Sequence, residues 1–451
     1  MRSSRACLGA CLFFLANPTA AQTHAGLPPP RELGRDLPAY RAPDSKESGT
    51  GAPLPTDPTG ELSLGEALAA ALLGNPELAS SVWEVRAREA RILQAGLRPN
   101  PELELEIEDV GGSDELRGAR EAQATLLLSQ LVELGGKRAA RIRAAELGSD
   151  LAAWDYEAKR LDVFTATAQA FADVLVAQER IRLTEETLAF AGDVTEAARD
   201  RLRAGLAPAV EVTRAEVTRS SAEVERLHAH RELDTARQRL ASQWGGLEAR
   251  FARAVGSLED VVAPPPLESL LGRASDNPDL ARWDAETTER EAILRVERSR
   301  AVPDVRVGPG VRRLAGPDET VFVLGASIPL PIFGRNQGVV AEASHRLVQA
   351  REERRGAQVR VVTELIAAHR ALAASFAEVE VLRKTTLPAA ESSFRGVRDG
   401  YLRGRFGYLD VLDAQRTRFA TQAQYLRALG EFHRNAASVE RLIAAPLRQA
   451  P

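Results

Sequence analysis

The chain is written twice. "GNPELASSVWEVRAREARILQAGLRPNPELELE" (74–106) aligns with "DNPDLARWDAETTEREAILRVERSRAVPDVRVG" (276–308). Asn75-Pro76 matches Asn277-Pro278 and Pro101 matches Pro303, both 202 residues apart. After a slip of three, Gly135 of "LVELGGKR" matches Gly334 of "LPIFGRNQ", and Gly205 matches Gly404, both 199 apart. A unit of about 200 residues is far longer than the repeat of a solenoid, so the chain is a two-copy, pseudo-symmetric molecule.

Each copy runs through the same elements. In the first, a helical stretch over about 63–98 ends at Pro99 and Pro101. "ELELEIEDV" (102–110) then alternates acid and apolar with period two, the signature of a strand. "AQATLLLSQL" (122–131) returns as its hairpin partner, and Gly135-Gly136 closes the hairpin. A helix over 137–203, a glycine turn at 204–208 and a second helix to Trp244 follow. The second copy repeats the order with a helix to Arg300, strands within 303–330, a helical stretch from Arg335, a turn at 404–407 and a final helix. Pro388 is expected to kink or break that stretch, because an interior proline removes a backbone donor. The boundaries are thus repeat 1 over 61–246, a connector over 247–265 and repeat 2 over 266–446.

Composition agrees with long helices. Apolar residues make up 44% and charged residues 27%, while aromatics are only 5%. Helices of about 100 Å with narrow alanine-rich seams need neighbours on two sides, as in a bundle or tube. A net charge of −4 leaves no basic footprint, which argues against nucleic acid as a partner.

The N-terminus reads as a signal peptide over 1–21. Arg2 and Arg5 precede the apolar run "ACLGACLFFLA" (6–16), and "TAA" supplies small residues before Gln22. "LGAC" also fits a lipoprotein box ending at Cys11, but the apolar run continues past it, so cleavage before Gln22 is the reading adopted. Cleavage there removes Cys7 and Cys11, the two cysteines of the chain, and with them any disulfide framework. Residues 22–60 are rich in proline and small polar residues and read as an extended or disordered arm.

The strands decide the environment. Four strands of about ten residues fit a bilayer-crossing β length. Four cannot close a barrel, and an open edge is not tolerated in lipid. Several chains must share one barrel, and three would supply twelve strands. In such a barrel Leu103, Leu105 and Ile107 face lipid, and Glu102, Glu104, Glu106 and Glu108 face the lumen. The alternative is a soluble, half-exposed strand.

On the duplication, the helix–hairpin–helix order, "LSQLVELGGKRAA" and above all "GYLRGRFGYLDVLDA", the chain resembles the TolC-like outer-membrane efflux protein family over nearly all of 60–445, most like its CzcC-type cation-efflux branch. The resemblance implies a mainly α protein with a small β part. It implies a homotrimer in which an α-helical periplasmic tube is capped by a shared 12-stranded transmembrane barrel in outer-membrane lipid. It further implies an exit channel that serves a periplasmic adaptor and an inner-membrane pump of RND type, and that holds no cofactor. The tips at Gly205, Gly404 and Phe406 would meet the adaptor, and the family's constriction residues fall on Tyr401, Asp410 and Asp413. The first-copy counterparts of the two aspartates are Glu211 and Arg214. Phe406 stands where some members carry an arginine in the closing network, leaving Arg403 or Arg405 as substitutes. Acids in the first turn of a helix are also favoured by the helix dipole alone.

Metal and catalytic motifs fail. The ExxH strings Glu225–His228 and Glu342–His345 fall far apart along the helices, and His228 and His230 point away from each other. Walker-A, HExxH and G-x-S-x-G patterns are absent, so no enzyme is expected. Substrate stays open between heavy-metal cations, which the acidic lumen and mouth favour, and the drugs or secreted peptides of other ducts of this fold. A non-channel coiled-coil spacer or adaptor is the reading from another class.

Overall fold

The structure, a computed structural model, describes residues 27–38, 40, 57–114, 117–403 and 405–447. The signal peptide, Cys11 and Gly404 lie outside the described residues.

After β1 (Gly60–Ser63), the first repeat folds as α1 (Leu64–Gly74), α2 (Pro76–Gly96), β2 (Glu102–Glu108), β3 (Gln123–Val132), α3 (Lys137–Arg203) and α4 (Ala209–Ser242). A short β4 (Phe251–Val255) and α5 (Leu267–Arg273) lead into the second. That repeat comprises α6 (Pro278–Arg300), β5 (Val305–Leu314), β6 (Glu319–Ser327), α7 (Gln337–Val381), α8 (Leu387–Leu402) and α9 (Tyr408–Ile443).

The opening helix is not continuous over 63–98. Asn75 adopts an extended backbone, and its Oδ1 accepts from the N–H groups of Glu77 and Leu78 at 3.0 Å, capping α2. Its Nδ2 donates to Gln243 O at 2.8 Å, tying the break to the end of α4. Asn277 does the same in the second copy, capping α6 and donating to Leu442 O at 2.8 Å near the end of α9.

Two further expectations change. The arm is not wholly extended. Leu33 is buried against Leu161 and Ala444, and its N–H donates to Ala444 O. The connector contains β4, which pairs in parallel with β1. Phe251 there is fully buried and packs edge to face on Trp244, within a core that also takes Leu175, Leu240, Leu372 and Phe432.

The helices form a layer. Near the sheet, α3 lies between α2 and α6, and α6 touches α7; toward the tips, α3 lies between α4 and α9, with α8 against α9. Ala215, Ala222, Ala229 and Ala236 recur every seven residues on α4 and are buried. A second row on α4, Val210, Val217 and Val224, has the same spacing and is exposed. Gly135 has φ +69°, and a Cβ there would come within 2.8 Å of Val302 Cβ, so this corner admits only glycine.

The continuous α3 contrasts with its counterpart. Between α7 and α8 the residues Leu382–Thr386 form a π turn, in which Leu387 N–H reaches back to Leu382 O. Pro388 lies one residue into α8, where its missing N–H would disrupt a regular α ladder.

The arm is held by one buried ion pair. Glu157 and Arg160 on α3 contact each other at 2.8 Å, and both are almost wholly buried. Glu157 also accepts Arg31 N–H at 2.8 Å, and Arg160 donates to Leu33 O at 3.0 Å. Replacing Arg160 with alanine strands a buried carboxylate, a loss of about 3–5 kcal/mol. R160A is therefore expected to release the arm, read as faster limited tryptic cleavage after Arg31 and Arg35 than in the parent protein.

Candidate functional site

The two helical hairpins end in tips that share a backbone bond and differ in their side chains. In the first, Gly205 takes φ +71°, and Leu206 N–H donates to Arg201 O at 2.8 Å to end α3. Pro208 then opens α4. In the second, Arg405 N–H donates to Gly400 O at 2.8 Å, and the Cδ2–Cε2 edge of the Phe406 ring lies against Gly400. A methyl group at 400 would run into that ring. Phe406 therefore covers the end of α8 by packing. Arg403 and Arg405 are exposed and make no ion pair among the described residues.

Asp410 and Asp413 do different things. Asp410 sits at the third position of α9, and its Oδ2 accepts the N–H of Gly407 at 2.8 Å, so it caps its own helix. Asp413 faces a groove of about 520 Å³ between α4 and α9. Thr213, Arg214 and Val217 line one wall, and Leu409, Asp413 and Arg416 the other. Arg214, the first-copy counterpart of Asp413, thus lies in the same groove.

Tyr401 is held across the hairpins. The Arg201 guanidinium stacks on its ring, 5.2 Å from the centroid. Beside it Tyr408 is buried with Ala198, Ala215 and Leu412. Burial, then the nearby Glu211 charge, pushes the Tyr408 hydroxyl above its ordinary pKa. Arg201 lies in no motif and Tyr408 is one aromatic among several in the 400–414 stretch, so only the packing of one hairpin on the other reveals what they do.

At the opposite end the sheet runs in the order β2-β3-β5-β6. The register puts Leu103 opposite Leu128, Leu105 opposite Leu126, and Val311 opposite Phe322. These side chains form one exposed apolar face, with Phe322 91% and Leu324 82% exposed. Glu102, Glu104, Glu106 and Glu108 all lie on the other face with Thr125 and Ser129. That face is less acidic than the β2 sequence suggests, because Arg306 pairs with Glu102 and Arg312 lies 3.8 Å from Glu108. The ExxH acids are engaged elsewhere, Glu225 by Arg180 and Glu342 by Arg346. Among the described residues no helix is long and apolar enough to cross a membrane.

Long paired helices continuous with a sheet of one apolar and one polar face define an outer-membrane channel protein that extends into the periplasm. The chain belongs to the outer membrane efflux protein family, whose profile matches residues 67–246 and 273–445, one stretch in each repeat. It is not an enzyme. It is 36% identical over 390 residues to the cobalt-zinc-cadmium resistance protein CzcC of Cupriavidus metallidurans, covering 86% of this chain and 92% of CzcC. With the nickel-cobalt-cadmium resistance protein NccC of Alcaligenes xylosoxydans xylosoxydans it shares 28% over 275 residues, 61% of this chain and 62% of NccC. The fold is that of solved channels. CusC superposes with a TM-score of 0.72 at 18% identity over 91% of this chain and 98% of its own. The Campylobacter jejuni CmeC outer membrane channel gives 0.71 at 15% identity over 84% and 85%.

The capping geometry separates the two aspartates experimentally. Asp410→Ala removes a cap worth about 1 kcal/mol, so amide exchange over the first turns of α9 is expected to quicken several-fold. Asp413→Ala is expected to leave that exchange unchanged.

Proposed function

We propose that three copies of this chain close a twelve-stranded barrel through the outer membrane and continue it as a helical tube across the periplasm. The tube conducts heavy-metal cations passively to the exterior. An inner-membrane pump of RND type supplies the energy, and a periplasmic adaptor joins pump and tube at the tips formed by Gly205, Gly404 and Phe406.

One observation carries this reading: a four-stranded sheet that exposes an apolar face and leaves the outer sides of its edge strands, β2 and β6, unpaired among the described residues. Such a sheet is stable in hydrocarbon only when copies of the chain pair its edges. The exposed valine row of α4 supports the same assembly, since it offers a heptad seam for a neighbouring helix. A coiled-coil spacer would use such a seam but would have no need of the sheet. The cation assignment draws on the likeness to CzcC and on the carboxylates at the second tip.

At the mouth, Tyr401, Asp410 and Asp413 from three copies form the constriction. Two rings of carboxylates in a narrow opening attract cations and repel anions. Purified protein is expected to run as a detergent-stable trimer before heating and to form pores in planar bilayers. A multivalent cation on the periplasmic side should block those pores, and Asp410→Ala with Asp413→Ala should weaken the block. Tyr401→Ala should instead raise leak conductance, because it frees the Arg201 contact without removing an acid. A double alanine variant that blocks like the parent would remove these aspartates from the constriction.

A further inference from the structure

The polar face of the sheet holds cations that the glutamate row of β2 does not announce. Arg306 and Arg312 stand six residues apart on β5, and strand alternation keeps both on the side of Glu102 and Glu108. Each bonds to the adjacent β3 and reaches over it to a glutamate of β2. Arg306 pairs with Glu102 over the buried Ser129, whose Oγ is 3.4 Å away. Arg312 donates to Thr125 Oγ1 at 2.9 Å and to Gln123 Oε1 at 3.4 Å, and its guanidinium lies 3.8 Å from Glu108. Two polar bridges therefore span three strands each, about 20 Å apart along the sheet.

Between the bridges the arrangement changes. Glu104 and Glu106 make no hydrogen bond or ion pair among the described residues. On this face the β5 positions between the arginines are Gly308 and Gly310, opposite Gly325 and Val323 of β6. Among the described residues no basic side chain stands opposite the two acids, and Arg306, whose charge also acts on Glu104, makes its contact with Glu102.

We infer that Arg306 and Arg312 cancel the charge of Glu102 and Glu108 at the two ends of the barrel lumen, leaving Glu104 and Glu106 to set its cation preference. The inference rests on the channel reading above, in which this face lines a shared pore. A carboxylate in contact with a guanidinium presents a dipole, whose field fades faster than that of a free charge. The unpaired carboxylates, six in three copies, act on passing ions across a lumen with low-dielectric walls.

The test is the potassium-to-chloride permeability ratio, taken from reversal potentials in planar bilayers at about 0.1 M salt, where screening reaches about 10 Å. Purified trimer carrying Asp410→Ala and Asp413→Ala serves as the background, so that the tip acids do not contribute. Glu104→Gln with Glu106→Gln is expected to bring the ratio close to one. Arg306→Gln with Arg312→Gln is expected to raise it by about twofold or more, because two further acids per chain lose their partners. The exchanged pair Glu102→Arg with Arg306→Glu restores a bridge and is expected to keep the background ratio. Trimer stability on unheated gels verifies that each variant has assembled. A ratio unmoved by either glutamine pair overturns the inference while leaving the channel reading intact. A parent protein that forms neither trimer nor pore overturns the channel reading and the inference with it.

Discussion

Hydrocarbon offers a peptide group no hydrogen-bond partner, and this constraint governs the whole molecule. The sheet satisfies its inner strands and leaves β2 and β6 each with one unpaired side. Seven consecutive residues of β2 are exposed in the single chain. The helical layer shares this incompleteness, for α4 buries its alanine row against α3 and leaves its valine row open. Sheet and helices thus both end at open edges, those of a segment that three copies would close in the assembly proposed above.

Duplication supplies that segment with matching ends, and later divergence separates the copies. The Asn75 and Asn277 caps are equivalent, and each fastens a short helix to the far end of its own repeat. The tips are not equivalent. Both end their helix with the same bond, Leu206 N–H to Arg201 O and Arg405 N–H to Gly400 O, but the second also sets Phe406 against Gly400 and Asp410 on the N–H of Gly407. Arg201 against Tyr401 then joins the two hairpins within one chain.

What the sequence disclosed is what local chemistry dictates. Proline at 99 and 101, glycine at 135 and 205, and the period-two run of β2 mark their elements because backbone freedom and face alternation are properties of short segments. The break at Asn75 was hidden, since a helical pattern continues on both sides and the carbonyl that completes the contact comes from Gln243. The parallel pairing of β1 with β4 was hidden because both strands are short and nearly 200 residues separate them. Four glutamates in alternation suggested an acidic wall, but the arginines that answer two of them lie in the other repeat. At the tip, a first-turn acid was legible as a helix cap, and Asp410 has that geometry. The groove position of Asp413 beside Arg214 required the two hairpins to be seen together.

The π turn at Leu382–Thr386 makes the two repeats mechanically unequal. α3 is a single strut of 67 residues whose hydrogen-bond ladder is regular throughout. Its counterpart is jointed, with a widened turn and a proline that removes one rung, so it bends at lower cost there. The joint stands about 24 Å from the tip, the length of α8. A bend of about 10° at that point carries the tip sideways by about 4 Å. The compliant hairpin is also the one that carries the aspartates, while its partner stays stiff. If three such chains form the proposed ring, stiff and compliant staves alternate around it, and the compliant ones are those that carry the acidic tips.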